Sequence, residues 1–279
     1  MAPAILIAAV MLYLPFLWTT ALSFTSYRGL GTPEWVGLDN YVRMFQDPNF
    51  LVSMRNTVIW VVGSILVPVG LGLLVAALTY DRRFGMWLRL PFLLPYALSG
   101  VGVGVVFGFL LQTHGAINQL LAILGLPGGD VRFTVDAPIN TVTMILASSW
   151  QGVGINALLF VIGLQSIPRS VIEAARIDGA NAVQMFRYMI WPLLRPLTTV
   201  VIGLSIVASL KTFDIIWTMT EGGPGRRSET LAVTMYRETF AVQEFGSGAA
   251  VAVFLTLLVF VASIMYLRRQ LADRPTRIT

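Results

Sequence analysis

The chain has 279 residues, 56% of them hydrophobic and only 12% charged, with a formal net charge of +5, where an ordinary soluble domain carries about 25% charged residues. That imbalance places it in the membrane class. Cysteine is absent, which excludes a disulfide framework, a thiolate metal site and a cysteine nucleophile.

A helix of about 18–20 uncharged residues crosses a hydrocarbon core about 30 Å thick while satisfying its own backbone hydrogen bonds. Charge-free runs cover residues 2–27, 56–80, 90–129, 137–168 and 245–267 and predict spans near 3–24, 56–79, 91–112, 138–163 and 246–267. A further apolar stretch, 197–219, is long enough only if it takes Lys211 and Asp214 into the membrane. The first span has no basic segment before it and no clear small-residue cleavage site after it, which argues against a signal peptide. Pro68, Gly70 and Gly72 in the second span and Gly100, Gly102, Gly104 and Gly108 in the third predict close helix packing, which small residues permit, and are compatible with a hinge. His114, the single histidine, ends the third span and reads as a surface residue.

Six spans put both termini on one side, and the arginines decide which. Short loops rich in Arg and Lys stay cytoplasmic. With the termini inside, the inner segments hold eleven arginines: Arg82, Arg83, Arg89, Arg169, Arg176, Arg187, Arg195, Arg268, Arg269, Arg274 and Arg277. The outer segments hold six, Arg28, Arg43, Arg132, Arg226, Arg227 and Arg237, with Arg55 at a boundary. Both termini are therefore expected in the cytoplasm, and the outer segments, about 25–55, 113–137 and 220–245, are each too short to bury a core of their own. The expected fold is an all-α membrane protein with six transmembrane helices and a cytoplasmic helical hairpin between helices 4 and 5.

That hairpin occupies the longest inner segment. Ser166-Ile167-Pro168-Arg169 is a helix start, with a capping serine and a proline in the first turn. Arg169, Glu173 and Arg176 then share one face, and Asp178-Gly179 ends the helix, because glycine readily adopts the left-handed conformation that closes helices. A second amphipathic helix follows from about Ala180, carrying Ala182, Phe186, Met189 and Leu193 at helical spacing. Amphipathicity leaves two roles open. The hairpin could lie on lipid headgroups or dock in a cleft of a cytoplasmic partner.

Glu173-Ala174-Ala175, Asp178-Gly179-Ala180, Phe186, Ile190, Pro192 and Pro196 resemble the EAA loop of membrane subunits of ATP-binding-cassette importers, with Trp191 in place of the usual leucine before Pro192. Gly37-Leu38-Asp39-Asn40-Tyr41, Leu94-Pro95-Tyr96, Phe213-Asp214 and Gly222-Gly223-Pro224 are similar to motifs of the carbohydrate-type permeases, which carry sugars, polyols and glycerol phosphates. The resemblance implies a single transmembrane permease domain over 1–279 with its EAA coupling loop at about 166–196. Glu173, Ala174, Ala175, Asp178, Gly179 and Ala180 would couple to an ATPase subunit. It implies a second homologous permease subunit, two ATP-binding ATPase subunits, an extracytoplasmic solute-binding protein and membrane lipid as partners, and no nucleic acid. The expected location is a bacterial or archaeal cytoplasmic membrane.

An uncharged sugar in a membrane path needs hydroxyl and amide groups together with flat apolar faces. Ser205, Ser209 and Thr212 fall at i, i+4 and i+7 of the fifth span, and Ser148, Trp150, Gln151, Gly152 and Asn156 lie on the fourth; by the resemblance these spans contribute to the substrate path. Ser and Thr can equally bond back to their own helix. Lys211 and Asp214 can pair within the helix or meet substrate, since a charge inside the membrane is by default a functional hypothesis. No phosphate-binding loop, H-E-x-x-H or nucleophile elbow is present in the sequence, so no catalytic residue, metal site or cofactor is expected on this chain, and ATP with Mg belongs to the partner subunits. The rival reading is a self-sufficient secondary transporter or channel using Lys211 and Asp214 for ion coupling, a fold class that often shows inverted repeats.

Overall fold

Among the described residues every regular element is a helix, and the one isolated bridge pairs Thr25 with Trp35. The structure is a computed structural model that describes residues 2–272; Arg274 and Arg277, counted above for the inner side, lie outside them. Five helices are long and apolar enough to cross a membrane: α1 (Ile5–Leu22), α3 (Pro48–Thr79), α7 (Ile139–Gln165), α9 (Ala182–Leu210) and α12 (Phe245–Ala272). Between them lie α2 (Asp39–Gln46), α4 (Gly85–Ala97), α5 (Gly100–Leu110), α6 (Ala116–Ile123), α8 (Arg169–Ile177), α10 (Asp214–Thr220) and α11 (231–241).

The third span is not the straight helix expected at 91–112. It is the pair α4 and α5, bent by 99° and together apolar enough to count as a sixth span. Local chemistry explains the break. Pro95 removes an amide donor, the chain tightens into a 3-10 turn over Leu94–Ala97, and Leu98 and Ser99 are extended. Ser99 then restarts the helix, its hydroxyl accepting the Gly102 amide at 3.0 Å.

The fifth span also departs from the expected 197–219. Its helix begins at Ala182, so the expected second helix of the hairpin runs directly into the span, and it ends at Leu210. Lys211–Phe213 is non-helical, and α10 resumes at Asp214. Pro192 and Pro196 do not stop α9, because a π-helical turn at Phe186–Ile190 precedes them. The same device accommodates Pro68 in α3, inside the π turn Ile65–Val69.

Three apolar clusters hold the bundle. Toward the hairpin, Ala76, Phe160, Leu164 and Leu194 interlock α3, α7 and α9. Midway, Trp60, Val103, Met144 and Ile216 join α3, α5, α7 and α10. Toward the other end, Phe50, Leu210, Leu231 and Val251 gather α3, α9, α11 and α12. Lipid is as apolar as these side chains, so close packing rather than escape from water stabilises them. Gly154 shows how close: an added Cβ would lie 2.1 Å from the Phe92 carbonyl oxygen. By contrast α1 buries none of its residues over Ile5–Leu22 and leans chiefly on α12.

Candidate functional site

The hairpin has the helix-turn-helix form expected of it, and its corner is fully built. α8 closes with the Ala180 amide bonding back to the Ala175 carbonyl at 3.0 Å and the Gly179 amide to Arg176 at 3.1 Å, the paired bonds that cap helices ending in left-handed glycine. Gly179 takes φ +75°, a conformation costly for any residue with a Cβ. Asn181 and Gln184 then exchange reciprocal 2.9 Å bonds to start α9. Only Ala175 of the EAA triplet is buried; Glu173, Ala174 and Asp178 are exposed and Ala180 is half-buried.

Ile177 is 85% exposed and Val183 74% exposed, so apolar side chains flank the glycine turn. The charged face of α8 turns elsewhere. Arg169, Glu173 and Arg176 line a polar cleft of about 320 Å³ with Asp81 and Gln165, between the hairpin and the turn joining α3 to α4. That turn is itself fixed by Arg89, a buried residue whose Nε and Nη2 donate at 3.0 Å to the hydroxyl and carbonyl of Thr79 at the end of α3.

The residues expected along a substrate path divide in the structure. On α7, Asn156 bonds back to Gly152 at 2.9 Å, Gly152 packs against Pro68, and Gln151 Nε2 donates to the Leu98 carbonyl at the break in the third span. Ser148 is half-buried, and Trp150 is exposed with its ring edge-on to Phe107 at 5.6 Å. On α9, Ser205 and Ser209 keep a common face, whereas Thr212 lies beyond the helix end and its hydroxyl reaches the Ala208 carbonyl at 3.4 Å. Ser209 is buried, with a hydroxyl that has no partner among the described residues.

Lys211 and Asp214 do not pair. The break separates them, and among the described residues neither joins an ion pair. Lys211 is exposed beside an apolar groove with Phe213, Tyr236 and Leu255, while Asp214 sits on Gly100 at the start of α5. The expected internal neutralisation fails because Lys211–Phe213 is not a helical turn.

Two features escaped the sequence reading. Thr230, 1% exposed, donates at 3.1 Å to the Thr212 carbonyl. Glu229, fully buried, binds Arg226, Arg237 and Thr234 under Gly222. A glutamate between paired arginines in a short loop was the available signal for the second; nothing in the sequence marks the first.

Residues 68–275 match the family described as "Binding-protein-dependent transport system inner membrane component". The sulfoquinovosyl glycerol transport system permease protein of Agrobacterium fabrum is 34% identical over 96% of this chain and 88% of its own length. The arabinooligosaccharides transport system permease protein of Halalkalibacterium halodurans is 32% identical over 95% of this chain and 84% of its own length. The fold is shared with a chain of a bacterial ABC transporter that imports the acidic polysaccharide alginate, at TM-score 0.86 and 20% identity, covering 98% of this chain and 94% of that one. The glycine-cornered hairpin agrees with these matches, which lead to one assignment: the chain belongs to the inner-membrane components of binding-protein-dependent transport systems, the permease subunits of ABC transporters.

Proposed function

We propose that this chain is one of two membrane subunits of an ATP-driven importer for a carbohydrate or related solute, a sugar, polyol or glycerol phosphate. Two of its relatives are named as permeases of sulfoquinovosyl glycerol and arabinooligosaccharide transport systems, which supports that class. The hairpin then docks on one of two ATPase subunits that bind ATP and Mg, an extracytoplasmic binding protein delivers solute to the outer segments, and both termini face the cytoplasm. Glu173 to Ala180 form the coupling element; Ser148, Trp150, Gly152 and Asn156 of α7, Ser205 and Ser209 of α9, and Thr212 and Asp214 beyond it line this subunit's half of the path, with Gln151 behind them on the Leu98 carbonyl.

The observation that carries the coupling role is the hairpin corner. A rigid turn that presents Ile177 and Val183 to water, with its charged face turned aside, fits an apolar cleft in a protein partner. The secondary-transporter reading depends on Lys211 and Asp214 acting together, and their separation removes its basis. The test uses Gly179→Pro and Glu173→Lys in the assembled complex. Both are expected to abolish solute-stimulated ATP hydrolysis while the chain remains in the membrane; survival of that stimulation in both variants overturns the coupling role.

A further inference from the structure

The two helix breaks of this fold are built alike. In the third span Leu98 is extended, so its carbonyl has no helical donor, and Gln151 Nε2 of α7 supplies one. In the fifth span Lys211–Phe213 is irregular, and Thr230 Oγ1 supplies the Thr212 carbonyl at 3.1 Å. Irregular backbone persists at membrane depth only where such groups find partners. Each break therefore has one carbonyl satisfied by a side chain from a different element.

Beyond the breaks, α5 and α10 lie against each other with almost nothing between them. Gly100, Gly104 and Gly108 recur every fourth residue along α5, on one helical face. A Cβ on Gly104 would stand 2.8 Å from Thr218 Cβ, one on Gly100 would stand 3.1 Å from Asp214 Cβ, and one on Gly108 would stand 3.8 Å from Met219 Cα. The Asp214 carboxylate also lies at the N-terminus of α5, where unpaired amides carry partial positive charge.

We propose that Gln151 and Thr230 are positioning residues: each clamps one break, and together they set the angle at which the α5–α10 pair, moving as a single body, stands against α4 and α9 during transport. Gln151 acts through the Leu98 carbonyl, and its side-chain donor is used there rather than on solute. The proposal rests on permease membership and holds whether or not the hairpin is the coupling element.

The first test measures ATP hydrolysis by the assembled complex in proteoliposomes without binding protein. Thr230→Val and Gln151→Glu keep shape but remove the donor. Each is expected to raise this unstimulated hydrolysis about tenfold, the ratio given by about 1.4 kcal/mol for one lost hydrogen bond, while Thr230→Ser, which keeps the hydroxyl, stays at the wild-type rate. Unchanged hydrolysis in both donor-less variants, or Thr230→Ser behaving as Thr230→Val does, overturns the clamp.

The second test reads the α5–α10 contact directly. Because the chain lacks cysteine, Gly108→Cys with Met219→Cys places a single pair of thiols on it, one on each side of the α5–α10 contact. The disulfide is expected to form equally in nucleotide-free and vanadate-treated complex, and to leave ATP hydrolysis intact. A yield that changes with nucleotide, or hydrolysis lost on oxidation, shows that the two helices separate and overturns the single-body motion. Loss of hydrolysis only in Gly179→Pro bears on the hairpin alone.

Discussion

Arg237 donates through Nε to Glu229, a carboxylate with none of its surface exposed. The same carboxylate takes Arg226 Nε at 3.0 Å and the Thr234 hydroxyl at 3.0 Å, while Arg237 also reaches the Glu221 carbonyl and covers the Trp217 ring at 5.4 Å. One side chain thus ties the 221–230 loop to α10 and α11. Removing one partner of a buried ion pair leaves the other charge uncompensated, at a cost of about 3–5 kcal/mol. Glu229→Ala is expected to lower the melting temperature of the purified complex sharply; a melting curve equal to wild type shows that the network is dispensable.

Protonation enters through Glu238. Burial pushes its carboxyl above the ordinary value of 4.5, the Arg226 guanidinium at 3.1 Å pulls it part of the way back, and Glu244 and Asp47 push it up again. The folded chain therefore holds this proton to higher pH than the unfolded chain. Its contribution favours folding below about 4.5 and is lost as pH rises through the raised value. Glu238→Gln is expected to gain melting temperature relative to wild type as buffers go from acid to neutral, whereas a difference independent of pH contradicts the raised carboxyl.

Two glycines make a matched pair. Gly154 in α7 faces the Phe92 carbonyl, backbone that cannot retreat unless α4 shifts, whereas an added Cβ on Gly70 in α3 meets nothing within 4 Å. Gly154→Ala is expected to destabilise by about 1–3 kcal/mol through overpacking. Gly70→Ala is expected to stabilise by about 0.5–1 kcal/mol, because alanine restricts the unfolded chain and suits a helix. Melting of the two variants side by side checks the opposite signs.

Arg89 closes the hairpin-side end of α3 through two bonds to Thr79. Hydrogen bonds from a charged donor contribute about 1.5–3 kcal/mol, and a lysine lacks the fork that makes both at once. Arg89→Met, which keeps the aliphatic stem, should lower thermal stability by that order. If Arg89→Lys matches wild type, the forked geometry is not what matters.

The long apolar runs and the hairpin corner were legible because they rest on local signals: uncharged stretches and Gly179 after α8. The expected serine cap is not there: Ser166 closes α7, its hydroxyl donating back to the Gly163 carbonyl at 2.7 Å, and Pro168 stands just before the first turn of α8. The breaks were not legible, for a specific reason. Hydropathy averages over a window, and residues 90–129 are uncharged on both sides of Leu98, so the sum is blind to a 99° turn. Pro95 followed by Ser99-Gly100 carries the stop and start that a reading by helix signals would have caught. The end of α9 at Leu210 was hidden by Ile215, Ile216 and Trp217, which continue the apolar run past the break. The clamps lay further out of reach, since Gln151 with Leu98 and Thr230 with Thr212 meet only once separate elements pack.

The glycines of α5 have one more effect. Where side chains separate two helices, exchanging Leu for Val or Met adjusts the spacing by fractions of an ångström; Gly104 leaves nothing smaller to substitute, and anything larger collides with Thr218. The distance between α5 and α10 is thus a fixed ruler.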